Sequence, residues 1–249
     1  VHYEESGGEK LAKTLEEWVE EDVEPLRGKT VRWLSEAHFF RDPLRAVHSN
    51  PSCFFAPADG IILYQEVVKP DERLVAIKGR DFTLREAMRD PSYEHESVVV
   101  GIFMTFYDVH INRMPYSGRL SYRELEPIDT YNYPMLPVEK AILDDLEIDL
   151  GQADYLRNNQ RMLNRVHASS LGLTYHMLQI ADFDVDSVTP FELRQNQPCG
   201  QNERFSQIRY GSQVDLIIPL SSRYAFEFTQ QPGLHVEAGV DTLLRINER

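Results

Sequence analysis

Arg209-Tyr210-Gly211-Ser212-Gln213-Val214-Asp215-Leu216-Ile217-Ile218-Pro219 is the stretch on which the rest of the chain turns. A Gly-Ser pair leads into a hydrophobic run that alternates with polar residues at its start, the pattern of a strand. Taken alone, the pair reads as turn chemistry. Ser212 is equally a candidate nucleophile, or the precursor of a reactive group, and neighbouring chemistry must decide.

Working outward, the residues after this run suggest short strands separated by turns at Val214 to Pro219, Tyr224 to Phe228 and His235 to Ile246. The stretch before it, 194 to 207, is polar and reads as a loop. Leu171 to Ile180 alternates Tyr175, Met177 and Gln179 against His176 and Leu178, which suggests a strand. Residues 97 to 107 are β-branched and aromatic enough for a buried strand. Pro57-Ala58-Asp59-Gly60 separates two hydrophobic runs and predicts a hairpin or strand entry. Thr83-Leu84-Arg85-Glu86 has the spacing of a capping box that opens a short helix ending by Pro91. A further short helix is expected around 138 to 146, followed by a solvated acidic run. In the N-terminal part, Leu11, Leu15, Trp18 and Val19 mark an amphipathic helix over 9 to 24 with an acidic outer face. Together these elements predict an α+β domain, mainly an antiparallel β core with N-terminal helices.

Composition narrows the functional classes. The chain has 249 residues, 42% of them hydrophobic, and a net charge of −14. That acidity argues against nucleic acid as a partner, since phosphate binding wants a basic face. Cys53 and Cys199 are far apart and read as free thiols of a reducing, cytoplasmic setting. No run reaches the about 18 apolar residues of a spanning helix. The one basic stretch, Arg27, Lys29, Arg32, Arg41 and Arg45 with Trp33, Leu34, Phe39 and Phe40 interleaved, is the candidate for peripheral contact with a membrane through 27–45.

Asp108-Val109-His110 follows the 97 to 107 strand. A carboxylate near such a histidine can fix its tautomer and leave the other ring nitrogen as a base. No second His or Cys stands at metal-ligand spacing, so no metal site is expected.

The order of these pieces resembles the phosphatidylserine decarboxylases, most closely their short bacterial and archaeal branch. The resemblance rests on Phe39-Phe40-Arg41-Asp42-Pro43, Pro57-Ala58-Asp59-Gly60, Lys78-Gly79 with Thr83-Leu84, Asp108-Val109-His110 through Pro115 and Gly118, Asn202-Glu203-Arg204-Phe205, Ile208 to Asp215, and Val236-Glu237-Ala238-Gly239. It implies an N-terminal helical segment, 1–37, and a decarboxylase domain, 38–249, that ends in a lipoyl-like strand–turn–strand. It also implies self-cleavage between Gly211 and Ser212 into chains 1–211 and 212–249. The cofactor would be a pyruvoyl group derived from Ser212, acting as electron sink when CO2 leaves an aminated carboxylic acid.

The resemblance assigns His110 as the base for Ser212 and for later proton transfer, Asp59 as the residue that orients it, and Asp108, Arg113 and Lys78 as supporting residues. Arg113 stands where many members carry a second histidine, as it often does in the short branch. Asp182-Phe183-Asp184-Val185-Asp186 stands where short members are basic, which leaves a soluble amino acid as the alternative to a phospholipid substrate. An unprocessed serine hydrolase and a non-catalytic binding module are the readings from other classes. A homodimer is left open.

Overall fold

The computed structural model describes residues 11–45, 49–128, 132–182, 188–192, 194–208 and 212–249. Its centre is a nine-stranded sheet. In spatial order the strands are Lys13–Thr14, Leu234–Val236, Gly60–Val68, Ser97–Met104, Ser212–Pro219, Leu173–Ala181, Arg161–Ala168, Gly118–Leu125 and Gln197–Cys199. Every neighbouring pair in it is antiparallel. The chain is thus strand-rich, with few and short helices.

Both faces of this sheet are covered, which is why its middle strands read as continuous hydrophobic runs. One face carries Ile62, Ile102, Met104, Val214 and Met177. Two three-stranded sheets accompany the central one: Val188–Pro190, Arg204–Ile208 and Ile111–Arg113, and Tyr224–Phe228, Thr242–Glu248 and Cys53–Phe55. The other face carries Ile61, Phe103, Ile217 and Leu178, packed in one cluster with Leu15, Trp18, Leu84, Met88, Val138 and Tyr155 from the helical segments. Successive residues of one strand, such as Ile61 and Ile62, go to opposite clusters, as the two-residue period requires.

The strands expected at 97 to 107, 171 to 180 and 214 to 219 are present as Ser97–Met104, Leu173–Ala181 and Ser212–Pro219, and are largely buried. Thr83 caps the helix Leu84–Met88 with a full capping box, and Arg89 in the left-handed region ends it before Pro91. Three expectations need correction. The N-terminal helix begins at Leu15, because Thr14 and Glu17 form a capping box there; Leu11 therefore lies outside it and is 60% exposed. Pro57 to Gly60 is the strand entry, with Gly60 opening Gly60–Val68, but it does not close a hairpin, since Cys53–Phe55 pairs with Thr242–Glu248 while Gly60–Val68 pairs with Leu234–Val236 and Ser97–Met104. The polar stretch 194 to 207 is not a plain loop. It holds the edge strand Gln197–Cys199 and most of Arg204–Ile208, which borrow their hydrogen bonds from distant segments. Both cysteines are buried. Among the described residues no helix is long and apolar enough to cross a membrane.

Candidate active site

Ser212 opens the central strand, paired with Met104 on one side and Ala181 on the other. It is fully buried, and its Oγ donates to the Met104 thioether at 3.3 Å. Arg209, Tyr210 and Gly211 lie outside the described residues, so the expected cleavage bond is described from its serine side. On the opposite face Gln213 and Asp215 form a polar knot. Tyr64 donates to Asp215 Oδ2 at 2.9 Å, Gln213 Nε2 to Asp215 Oδ1 at 2.6 Å, and Tyr155 to Gln213 Oε1 at 2.8 Å. Burial pushes the Asp215 carboxyl up to about 6.

His110 precedes the strand Ile111–Arg113, and its carbonyl accepts the Ile208 amide at 3.0 Å. Its ring stacks on Phe39, centroids 4.0 Å apart. Nδ1 lies 3.0 Å from the Asp108 carbonyl. A carbonyl can only accept, so Nδ1 carries the proton and Nε2 is left as the basic nitrogen. The tautomer is therefore fixed by a backbone oxygen.

Asp59 has different partners from those expected. Its two oxygens accept Nη1 and Nη2 of Arg45, both at 2.6 Å, and Oδ1 also accepts the Ala238 amide at 2.8 Å. Among the described residues it makes no hydrogen bond to His110. The carboxylate–imidazole pair that does form is Asp108–His235, at 2.6 Å, with Trp18 stacked on the His235 ring at 4.7 Å. The other oxygen of Asp108 accepts the Thr105 amide and hydroxyl at 2.7 and 2.8 Å. For Asp108, burial raises the pKa, but the His235 charge and the hydrogen bonds together hold it below its ordinary value. For His235, burial lowers the pKa, but Asp108 brings it above its ordinary value.

Asp108 is thus a hub, with its carboxylate on His235 and its carbonyl on His110 and, at 3.3 Å, on Arg41. Arg41 also donates to the carbonyls of Tyr107 and His38. A cavity of about 310 Å³ opens here, lined by Trp18, Arg41, Arg45, Asp59, Asp108 and His235 among others.

The turns around Pro57 and Asn202 pack together through Arg113, whose Nη1 donates to the Asn202 carbonyl at 3.0 Å, while its backbone amide bonds the Pro57 carbonyl. Gly239, at φ +71°, lies so close that a Cβ there would stand 3.0 Å from Arg113 Cδ and 3.2 Å from Asn202 Oδ1. Gly60 is tighter still: a Cβ would sit 2.0 Å from the Phe103 carbonyl oxygen. Lys78 stands apart. With Gly79 it forms the left-handed turn between Arg73–Ile77 and Arg80–Thr83, and its ammonium pairs with Asp154.

The sequence reading missed Arg45, His235, Trp18 and Met104 as site residues. Arg45 was visible only as part of a basic stretch. His235 sits in an apolar Leu-His-Val triple, 127 residues from its partner.

The site thus combines a buried strand-initial serine with two histidine-centred clusters on an antiparallel core, and the comparisons give the family. A family model described as phosphatidylserine decarboxylase matches residues 36–243. A phosphatidylserine decarboxylase proenzyme of Erythrobacter litoralis is 29% identical over 232 residues, covering 90% of this chain and 80% of the relative. One from Burkholderia cenocepacia is 28% identical over 185 residues, covering 74% and 68%. The chain belongs to the phosphatidylserine decarboxylase family and is a carboxy-lyase.

Proposed function

We propose that this chain is a proenzyme that cuts itself between Gly211 and Ser212 and then converts phosphatidylserine to phosphatidylethanolamine and CO2. The observation that carries the reading is the placement of Ser212: fully buried, first in the central strand, and, among the described residues, hydrogen-bonded through its hydroxyl to a thioether. That surrounding suits a serine that is to be consumed better than one that must meet substrate. A thioether accepts a hydroxyl and tolerates an apolar group equally; the Ser212 Cβ would become the methyl of a pyruvoyl once its oxygen has left with Gly211. When formed, the pyruvoyl supplies an electron sink for the pair released with CO2.

The chain's own residues supply the rest. A base, His110 through Nε2, takes the Ser212 proton, and Oγ attacks the Gly211 carbonyl carbon. The Gly211–Ser212 C–N bond breaks, leaving an ester. Loss of the Ser212 α-proton then expels Gly211 as a carboxylate that keeps Oγ, and water releases the nitrogen as ammonia. Asp59, neutralised by Arg45, ties the 38–45 segment to the turn at Ala238 and shapes the cavity wall. Arg41 brings positive charge to that cavity with its hydrogen bonds on carbonyls rather than on carboxylates, which suits an anionic head group.

The finer parts of the proposal extend the same reading. The C-terminal strands are the lipoyl-like part, and the decarboxylase domain begins near His38. We also place the membrane-facing surface within 27–45. Trp33, Phe40 and Leu44 are exposed there, and Lys29 lies 5.3 Å over the Trp33 ring. Arg41 and Arg45 turn inward, leaving Arg27, Lys29 and Arg32 as the outer charges.

Intact-mass measurement on recombinant protein tests the processing: two fragments split at residue 212 are expected, and a single 28.9 kDa chain would overturn it. CO2 release from phosphatidylserine vesicles, compared with free amino acids, tests the substrate. Release from the free amino acids alone would overturn the lipid assignment.

A further inference from the structure

A row of buried amides ends beside Ser212. Asn164 Nδ2 faces the carbonyls of Met177 at 3.2 Å and Met162 at 3.4 Å, so this atom must be the nitrogen. The same Nδ2 donates to Gln179 Oε1 at 2.7 Å. That fixes the Gln179 amide, whose Nε2 donates to Asn112 Oδ1 at 2.6 Å and to Ser206 Oγ. Asn112 is fixed in turn, and its Nδ2 is directed to the Met104 thioether at 3.7 Å. All four polar residues are buried. The row has one donor direction throughout, so each bond polarises the next toward its far end.

At that end the partner is poor. The Met104 sulphur, a weak acceptor, is shared by Asn112 Nδ2 and Ser212 Oγ. A buried, oriented donor is therefore held beside the serine with, among the described residues, no strong acceptor of its own. Asn112 also lies two residues from His110 on one strand edge, opposite Ser206 as His110 is opposite Ile208, so base and donor share a face.

We infer that Asn112 Nδ2 is the donor that stabilises Ser212 Oγ as its proton leaves, with Gln179 and Asn164 as positioning residues. A serine oxygen acquiring negative charge in a site buried from bulk solvent needs such a donor, and this one is already oriented by its amide row. The step is the Ser212 attack described above: the proton goes to the base, the Oγ–C bond to Gly211 forms, and Asn112 exchanges the sulphur for the oxygen. This inference rests on the self-cleavage reading.

The test follows full-length precursor made by cell-free translation, with intact mass read over time. Asn112→Asp keeps the oxygen that Gln179 needs but removes the donor, and Asn112→Ala removes both. Both are expected to slow appearance of the split at residue 212 by about 10²- to 10³-fold, the usual effect of losing one oxyanion donor. The pH–rate profile of Asn112→Ala cleavage should move to higher pH, whereas a merely structural defect lowers the rate equally at every pH. Hydroxylamine, which cleaves an accumulated ester, should not restore fragment release, because the ester itself forms slowly. Wild-type rates in both Asn112 variants, a rate loss equal at every pH, or restoration by hydroxylamine would each overturn the inference and leave the self-cleavage reading standing. An uncleaved wild type would overturn both.

Discussion

Replacing Arg45 by methionine should cost more stability than any other single surface-to-core change in the 38–45 segment. Arg45 and Asp59 side chains are only 8% and 4% exposed, and both Asp59 oxygens are held at 2.6 Å. Methionine fills most of the arginine volume but leaves the Asp59 carboxylate buried with the Ala238 amide as its remaining partner. Breaking a buried pair from one side costs about 3 to 5 kcal/mol. Asp59→Asn should cost a comparable amount, because it strands the guanidinium. The double variant removes both charges, so it should cost no more than the worse single, giving a coupling of about 3 kcal/mol. The assay is urea unfolding followed by tryptophan fluorescence in a Ser212→Ala background, where processing is blocked. A loss of that size moves the midpoint by roughly 1 to 2 M. If Arg45→Met costs under about 1 kcal/mol, or the two singles add to the double within about 0.5 kcal/mol, the pair does not hold the segment to the Ala238 turn as argued.

Three further outcomes follow from the same background. Burial pushes the Glu139 carboxyl up to about 7, even though its Oε1 accepts the Phe106 amide at 2.8 Å. Its folded-state pKa is raised, so the folded chain holds the proton longer and stability falls as pH rises from the unfolded value through 7. Glu139→Gln should therefore gain on wild type by up to ~3 kcal/mol between pH 4 and pH 8, and a difference in unfolding free energy that is flat with pH would refute this. His235→Gln breaks the Asp108 pair. The His235 contribution is present below its unfolded pKa and fades as pH rises through the raised folded value, while that of Asp108 is present above its unfolded pKa and fades as pH falls through the lowered one. The variant should thus lose most near pH 5 to 6, and a loss that grows toward pH 9 in thermal melts would contradict it. Gly101→Ala places a Cβ 2.4 Å from the Tyr64 ring, which itself holds Asp215; a loss of about 1 to 3 kcal/mol is expected from overpacking, and an unchanged midpoint in urea would show that Tyr64 yields freely.

Much of the frame was legible because its signals are local. The run Ser97–Met104 is apolar on both faces, and Thr83 with Glu86 announces a helix start within four residues. The order of the motifs was legible too, and the structure packs several of them around Arg113, Asn202 and Gly239. The pairings across the site were not legible. Arg45 meets Asp59 because two turns fold over each other, and nothing in the basic stretch marks one arginine as inward-facing. His235 meets Asp108 across 127 residues, and a lone histidine among apolar residues gives no sign of which carboxylate it will find. The edge strand Gln197–Cys199 escaped for a related reason: it is short and polar, and only its partner Gly118–Leu125 makes it a strand.

The topology also determines what self-cleavage can and cannot do to the fold. The segment after residue 211 is not an appendage. Ser212–Pro219 runs between Ser97–Met104 and Leu173–Ala181, Leu234–Val236 pairs with Gly60–Val68 and Lys13–Thr14, and Thr242–Glu248 pairs with Cys53–Phe55. Cutting one peptide bond ahead of Ser212 removes no rung of these ladders. It leaves Val214, Leu216 and Ile218 in one hydrophobic cluster and Ile217 in the other. The two fragments should co-elute on native gel filtration and part only in denaturant, and loss of the small fragment under native conditions would refute this. The new terminus would then stay pinned between Met104 and Ala181, beside the Asn112 amide. A reactive group made at the start of a central strand is held by the sheet itself, and covalent continuity with the upstream chain is no longer needed to position it.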